Sequence, residues 1–342
     1  MKLSFEPQTL IFRHPFRIAH GMRTTTPIVI TQIEHEGLIG FGEASMPPYL
    51  GESHESVCTF LELAAPVIKD LKDDFDIEFI MQEMDELALG NTAAKASIDI
   101  ALHDLKGKLL GIPCYRMFGA DKDKTPFSTF TLGIDEPEVI IKKINEADEF
   151  KILKVKLNGI DDRMMINTIR NVTDKPIAVD VNQGWKTKEH ALKMIEWLAG
   201  MNVLFVEQPM LKDDYDSAAW LYERSPLPLY GDESIQRIDD ISKVQGCYHG
   251  INIKLMKCTG MHEASKMITY ARELKLKILI GCMSETSCAV SAAAQLTPFA
   301  DYADLDGAML MTNDLFDGIK FIEGKIILND KPGIGVSLLN GF

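Results

Sequence analysis

The chain has 342 residues, 46% of them hydrophobic and 25% charged, enough for one large domain and a smaller one with a substantial core. A formal charge of −14 argues against nucleic acid as a partner, because phosphate contacts need clustered Lys and Arg. No apolar run reaches the roughly 18 residues of a membrane span, and Glu6 and Gln8 stand where a signal peptide needs apolar residues, so a cytoplasmic protein is expected.

In chain order, residues 26–34 and 38–43 alternate around Glu36-Gly37 and predict two strands joined by a turn. A helix follows over about 53–70, with Ser53 as its cap. Residues 92–110 carry apolar positions at helical spacing and predict a long amphipathic helix that stops before Gly111. Residues 1–122 thus have the character of a small α+β domain.

From Phe127 onward, short β-branched or apolar runs alternate with helical stretches. The runs are 127–133, 152–157, 176–181, 203–207, 227–233, 250–255, 277–281 and 302–306, spaced by about 25 residues, the eightfold pitch that a (β/α)8 barrel requires. No Gly-rich dinucleotide fingerprint supports the doubly wound alternative. The barrel is expected over 123–315, and the strand-like tail 316–342 is expected to return to the N-terminal domain. The six cysteines match no zinc or CxxC pattern and predict reduced, mostly buried thiols.

Active sites of such barrels lie at the C-terminal ends of the strands. The second run ends in Lys154 and Lys156, the third in Asp180 and Asn182, the fourth in Glu207, the fifth in Asp232 and Glu233, and the sixth in Lys254. Any one of these acids alone is ordinarily a helix cap or a solvated loop residue. Asp180, Glu207 and Asp232 on three successive strands would repel each other unless a hard divalent cation, magnesium above all, were held between them. Lys154 and Lys156 share a strand face. Lys254, four strands on, would approach from the opposite side of the mouth as a second acid/base group.

These motifs, KVK (154–156), DVNQGW (180–185), VEQP (206–209), GDES (231–234), NIKLMKCTGM (252–261), GCMSETS (281–287) and DLDG (304–307), resemble the enolase superfamily. The likeness is to the muconate lactonizing enzyme subgroup and within it to the dipeptide epimerases, across essentially the whole chain. The resemblance implies a (β/α)7β TIM-type barrel with an N-terminal α+β capping domain. It implies Mg2+ on Asp180, Glu207 and Asp232, with Lys156 and Lys254 as the two acid/base catalysts. It further implies that Lys154 neutralises charge near the substrate carboxylate and that Asp304 and Asp306 pair with a dipeptide ammonium group. Thr131, Cys282 and Arg23 would touch substrate, Arg23 from a mobile capping loop over residues 16–27. The third-strand motif reads Asp-Val-Asn where relatives usually carry Asp-Ala-Asn.

The implied reaction is a 1,1-proton transfer at the α-carbon of the C-terminal residue of an Ala-Xaa dipeptide. Both Ala-Glu and Ala with a small or hydrophobic residue stay open. The alternatives are a muconate cycloisomerase or an o-succinylbenzoate synthase, whose substrates give the acids at 304 and 306 no ammonium to meet, and a non-catalytic ligand-binding barrel. The sequence leaves homo-oligomerisation open.

Overall fold

The computed structural model describes residues 1–19, 21–72 and 74–339. Three antiparallel strands, β1 (Lys2–Ile18), β2 (Gly21–His35) and β3 (Leu38–Ser45), form the N-terminal sheet. The turn between β2 and β3 places Glu36 at φ 50° and Gly37 at φ 78°, the positive pair a tight hairpin needs. The first strand was not expected. It pairs with β2 as far as Phe16–Arg23 and Ile18–Gly21, so the expected loop over 16–27 is mainly a hairpin tip. Its register shifts between Ile11 and Phe16.

Helix α1 (His54–Lys69) opens on a reciprocal cap in which Ser56 N donates to Ser53 Oγ at 3.2 Å and Ser53 N to Ser56 Oγ at 2.9 Å. After α2 (Ile77–Leu87), α3 (Thr92–Leu110) ends at Gly111, φ 69°. Against expectation, α3 is not amphipathic: Lys95, Asp99, His103 and Asp104 are all buried along with its apolar residues. On one side β3 lies so close that a Cβ on Gly42 would meet Ser97 O at 1.9 Å. On the others the polar groups bind structure: Asp104 accepts from Phe41 N (2.8 Å) and Ile334 N (2.9 Å), and Asp99 from Met261 N and His262 N. Helix α4 (Cys114–Met117) closes this region.

Eight parallel strands follow: β4 (Thr129–Leu132), β5 (Ile152–Lys156), β6 (Ile177–Asp180), β7 (Val203–Glu207), β8 (Leu229–Gly231), β9 (Gly250–Lys254), β10 (Lys277–Gly281) and β11 (Tyr302–Asp304). Each lies beside its sequence neighbour, and a parallel bridge from Ser128 to Ala303 joins last to first. The intervening helices are α5 (Pro137–Glu146), α6 (Asp162–Arg170), α7 (Lys188–Ala199), α8 (Tyr215–Tyr222), the single turn α9 (Asp240–Lys243), α10 (Met261–Glu273) and α11 (Ser287–Ala294). Only a 3-10 turn, Gly307–Leu310, follows β11, giving a (β/α)7β barrel with an N-terminal capping domain. Inside the barrel, Phe205, Tyr230, Tyr302, Ala178 and Leu279 make an apolar layer, with Phe205 and Tyr230 ring centroids 4.4 Å apart. Polar residues fill the layer above it.

Four short strands occupy the tail: β12 (Phe316–Asp317), β13 (Lys320–Ile322), β14 (Lys325–Ile327) and β15 (Ser337–Leu338). The β13–β14 hairpin sits under the barrel, where Ser128 N donates to Gly324 O at 2.8 Å. Further on, Gly333 O accepts from Cys114 N at 2.8 Å. All six cysteines are free thiols. No helix among the described residues is long and apolar enough to cross a membrane.

Candidate active site

Strand register builds the site. Lys156, Asp180 and Glu207 are direct cross-strand partners on β5, β6 and β7, so the three side chains emerge side by side. On the other side of the mouth Lys254, Gly281 and Asp304 form the corresponding row on β9, β10 and β11. Asp232 follows β8 directly. One carboxylate oxygen from each of Asp180, Glu207 and Asp232 lies within 4.8 Å of the others, and all three residues are buried.

Lysines surround this cluster. Lys156 Nζ donates to Asp180 Oδ2 at 2.6 Å, and Lys254 Nζ donates to Asp232 Oδ2 at 2.6 Å. Lys154, 1% exposed, sits between the acids, with Nζ 2.7 Å from Asp304 Oδ2, 2.8 Å from Glu207 Oε2 and 3.3 Å from Asp180 Oδ2. Burial by itself would lower its pKa, but the carboxylates of Asp304, Glu207 and Asp180 outweigh it and hold the ammonium form well above the ordinary range. The same contest, with Asp232 as the strongest partner, raises Lys254. Among the acids, burial followed by the nearby Asp180 pushes Glu207 up to about 7. Burial also opposes ionisation of Asp180 and Asp232, but Lys156 and Lys154 hold the first low and Lys254 and Lys257 the second.

The buried acceptors indicate what this cluster is short of. Glu207 Oε2 is paired with Lys154 by charge, yet lies outside hydrogen-bond geometry. With Asn182 Oδ1, Glu233 Oε2 and Asn252 Oδ1 it belongs to a group of buried oxygens that accept no hydrogen bond among the described residues. Buried polar atoms are ordinarily paired, and several unpaired acceptors gathered at one barrel mouth call for a cation or a donor. Three carboxylates with an open cavity on one side are the donor set a hard divalent ion prefers.

Above the acids opens a cavity of about 440 Å³. Its floor includes Lys156, Lys254, Asp232, Asp304, Asp306 and Thr131. Its wall includes Cys282, and its roof is the β1–β2 hairpin with Phe16, Met22 and Arg23, together with Tyr49. Asp304 accepts from Thr129 Oγ1 at 2.7 Å as well as from Lys154. Thr131 binds Asp306 through its backbone N at 2.5 Å and its Oγ1 at 3.1 Å. Burial, followed by the charge of Asp304, raises Asp306 to about 7. Arg23 is partly covered, its guanidinium carbon 5.9 Å above the Phe12 ring. The structure therefore gathers around one cavity every residue singled out from the sequence, with Lys154, Asp180 and Glu207 immediately below it.

Two participants were not singled out. Asn252 donates from Nδ2 to Glu207 Oε1 at 2.7 Å, in space that exists because position 281 is glycine: a Cβ there would meet Asn252 Oδ1 at 2.5 Å. Lys257, 1% exposed, donates to Asp232 Oδ1 (2.6 Å), Asp232 O (2.7 Å) and Asn252 O (2.9 Å). Asn252 is two residues before Lys254 and so shares its strand face. Lys257 is a lysine inside an apolar stretch, itself a signal of a buried partner.

Residues 140–340 match the family description "Enolase C-terminal domain-like", and residues 5–119 match "Mandelate racemase / muconate lactonizing enzyme, N-terminal domain". The chain belongs to this mandelate racemase/muconate lactonizing enzyme branch of the enolase superfamily. Among its relatives, the L-Ala-D/L-Glu epimerase of Bacteroides thetaiotaomicron is 54% identical over 337 residues, 98% of this chain and 88% of that one. The N-succinyl-L-Arg/Lys racemase of Bacillus cereus is 32% identical over 345 residues, 96% of this chain and 92% of that one. A dipeptide epimerase from Enterococcus faecalis, solved with Mg and the dipeptide L-Leu-L-Tyr, superposes with a TM-score of 0.92 at 31% identity, covering 98% of this chain and 99% of the other. The resemblance to the superfamily and to its dipeptide epimerases, read from the motifs, is thus met.

Proposed function

We propose that the chain is a magnesium-dependent dipeptide epimerase that inverts the α-carbon of the C-terminal residue of Ala-Xaa substrates, Ala-Glu foremost. The observation that carries this reading is the pair Lys156 and Lys254, set on β5 and β9 with Asp180, Glu207 and Asp232 between them. In this reading the three acids hold Mg2+, which would supply positive charge to the substrate carboxylate and so ease removal of the neighbouring proton. Lys154 adds a second buried positive charge on that side. One of Lys156 and Lys254, in its neutral form, takes the α-proton onto Nζ. The other, as ammonium, returns a proton to the opposite face, so the carbon is inverted and the proton count is conserved. Asp304 and Asp306 face the substrate's ammonium group, with Thr131 and Cys282 beside it. Arg23 in the roof supports glutamate as the second residue, in keeping with the likeness to the Bacteroides L-Ala-D/L-Glu epimerase.

The test is hydrogen exchange at the α-carbon in deuterium oxide. Lys156→Ala and Lys254→Ala should each abolish epimerisation while leaving exchange from one stereoisomer only, opposite in the two variants. Exchange from both isomers in both variants would end the two-lysine mechanism. Acetylating the dipeptide amine should lower kcat/KM at least tenfold if Asp304 and Asp306 grip an ammonium group. An N-acylated substrate that works equally well would favour the activity named for the Bacillus cereus relative.

A further inference from the structure

We infer that Asn182 and Glu233 form an outer layer of the cation site, their unpaired oxygens accepting hydrogen bonds from water molecules that magnesium keeps. This rests on the cation reading above and extends it to two residues to which that reading gives no part.

Both residues line the cavity and are nearly buried, 6% and 5% exposed. Each follows a carboxylate of the cluster closely: Asn182 stands two residues after Asp180, and its backbone N donates to Asp180 Oδ1 at 2.9 Å, while Glu233 stands next to Asp232. Asn182 Nδ2 lies 3.4 Å from Glu233 Oε1, which fixes the amide with its oxygen turned away from that contact. Asn182 Oδ1 and Glu233 Oε2 are left without a partner among the described residues.

Two adjacent buried acceptors on one cavity wall need donors. Lys156 and Lys254 are directed to Asp180 and Asp232, and Lys154 to Asp304. Across the mouth, β11 and β4 carry the acids and the threonine assigned to the dipeptide, which leaves the arc from β6 to β8 to the cation. Magnesium dehydrates reluctantly and usually retains waters. Water polarised by a bound cation is a strong donor. Acceptors one step beyond the ligating carboxylates are where such waters would point their protons, and groups of this kind orient a metal's first layer.

The experiment uses Mn2+ as the probe on the chelator-stripped full-length protein, with free Mn2+ followed by EPR and bound water by proton relaxation enhancement. Asn182→Leu and Glu233→Leu should weaken Mn2+ binding about 10–100-fold and alter the relaxation enhancement of the bound ion. Glu233→Gln keeps an acceptor oxygen and should stay within a few-fold of wild type. Should a leucine variant fail to fold, the alanine variant is read in the same titration. Unchanged Mn2+ affinity and relaxation with a raised KM would overturn the inference, because the two oxygens would then face substrate. If wild type itself takes up no Mn2+, the cation reading fails, and this inference with it.

Discussion

Glu285, 2% exposed, lies in the loop after β10, and Glu43, fully buried, reaches it from β3. Glu43 caps α11, accepting from Thr286 N at 2.9 Å, from Thr286 Oγ1 and from Ala289 N. Glu285 accepts from Met283 N at 3.0 Å. Burial first, and then the neighbouring Glu43, pushes Glu285 from 4.5 up to about 8. A carboxyl raised in this way favours the fold while protonated. Its contribution is complete below the unfolded value and is lost as pH rises through the folded one. At about 1.4 kcal/mol per pH unit, the interval corresponds to roughly 5 kcal/mol at full ionisation. Glutamine cannot ionise and keeps the acceptor oxygen. Urea unfolding of metal-free wild type and Glu285→Gln should therefore show a stability gap that moves in favour of glutamine by ~3 kcal/mol between pH 5.5 and 8.5. A gap that stays constant over that window would refute the reasoning, because Glu285 would then ionise alike in both states.

Thr259 sits at φ 62°, a conformation that a β-branched residue adopts only under strain. Thr259→Gly should raise the unfolding free energy by up to ~1 kcal/mol, the strain relieved exceeding the chain entropy lost; denaturant midpoints check this, and a clear loss of stability would contradict it. Lys257→Met leaves Asp232 Oδ1, Asp232 O and Asn252 O without their buried donor while Lys254 still holds Asp232 Oδ2, and should cost ~1–3 kcal/mol in the same measurement. Magnesium at a hundredfold its Kd should stabilise the chelator-treated protein by ~2.7 kcal/mol in calorimetry. Glu207→Gln should remove most of that gain.

Much of the site was legible because a parallel barrel converts order in the sequence into order around a ring. The sequence lysine, acid, acid, acid, lysine at successive strand ends needs only the (β/α) repeat to become a convergent cluster. The strands themselves are short, doubly buried and bounded by helices, so their apolar runs stand out. The number of helices was less legible: the spacing alone pointed to eight full repeats, whereas β11 is followed by a turn and α9 is a single turn. The helix 92–110 was read with one apolar face because a periodicity count scores Asp99, His103 and Asp104 as solvated. Asp99 and Asp104 are buried because each binds backbone contributed by a distant segment, and His103 because it bonds to Asp99 O within the helix and stacks on Phe118. In β1, Leu3 and Phe5 alternate with polar neighbours, but the bulge after Ile11 and the prolines at 7 and 15 break the rhythm. Asn252 and Lys257 act through Glu207 and Asp232, a relation that no local pattern encodes.

The cap on α10 has a consequence for how this fold can diverge. Asp99, from the N-terminal region, holds the first amides of the helix that begins four residues after Lys257, and a Cβ on Gly260 would meet Asp99 Oδ1 at 2.2 Å. Asp99 and Gly260 are thus lock and keyway, and neither can drift without the other. A chimera that joins one relative's roof to another's barrel must inherit both halves of this joint. Without both, the loop that bears Lys257 and follows Lys254 at the end of β9 loses its anchor, whatever dipeptide the new roof was chosen to admit.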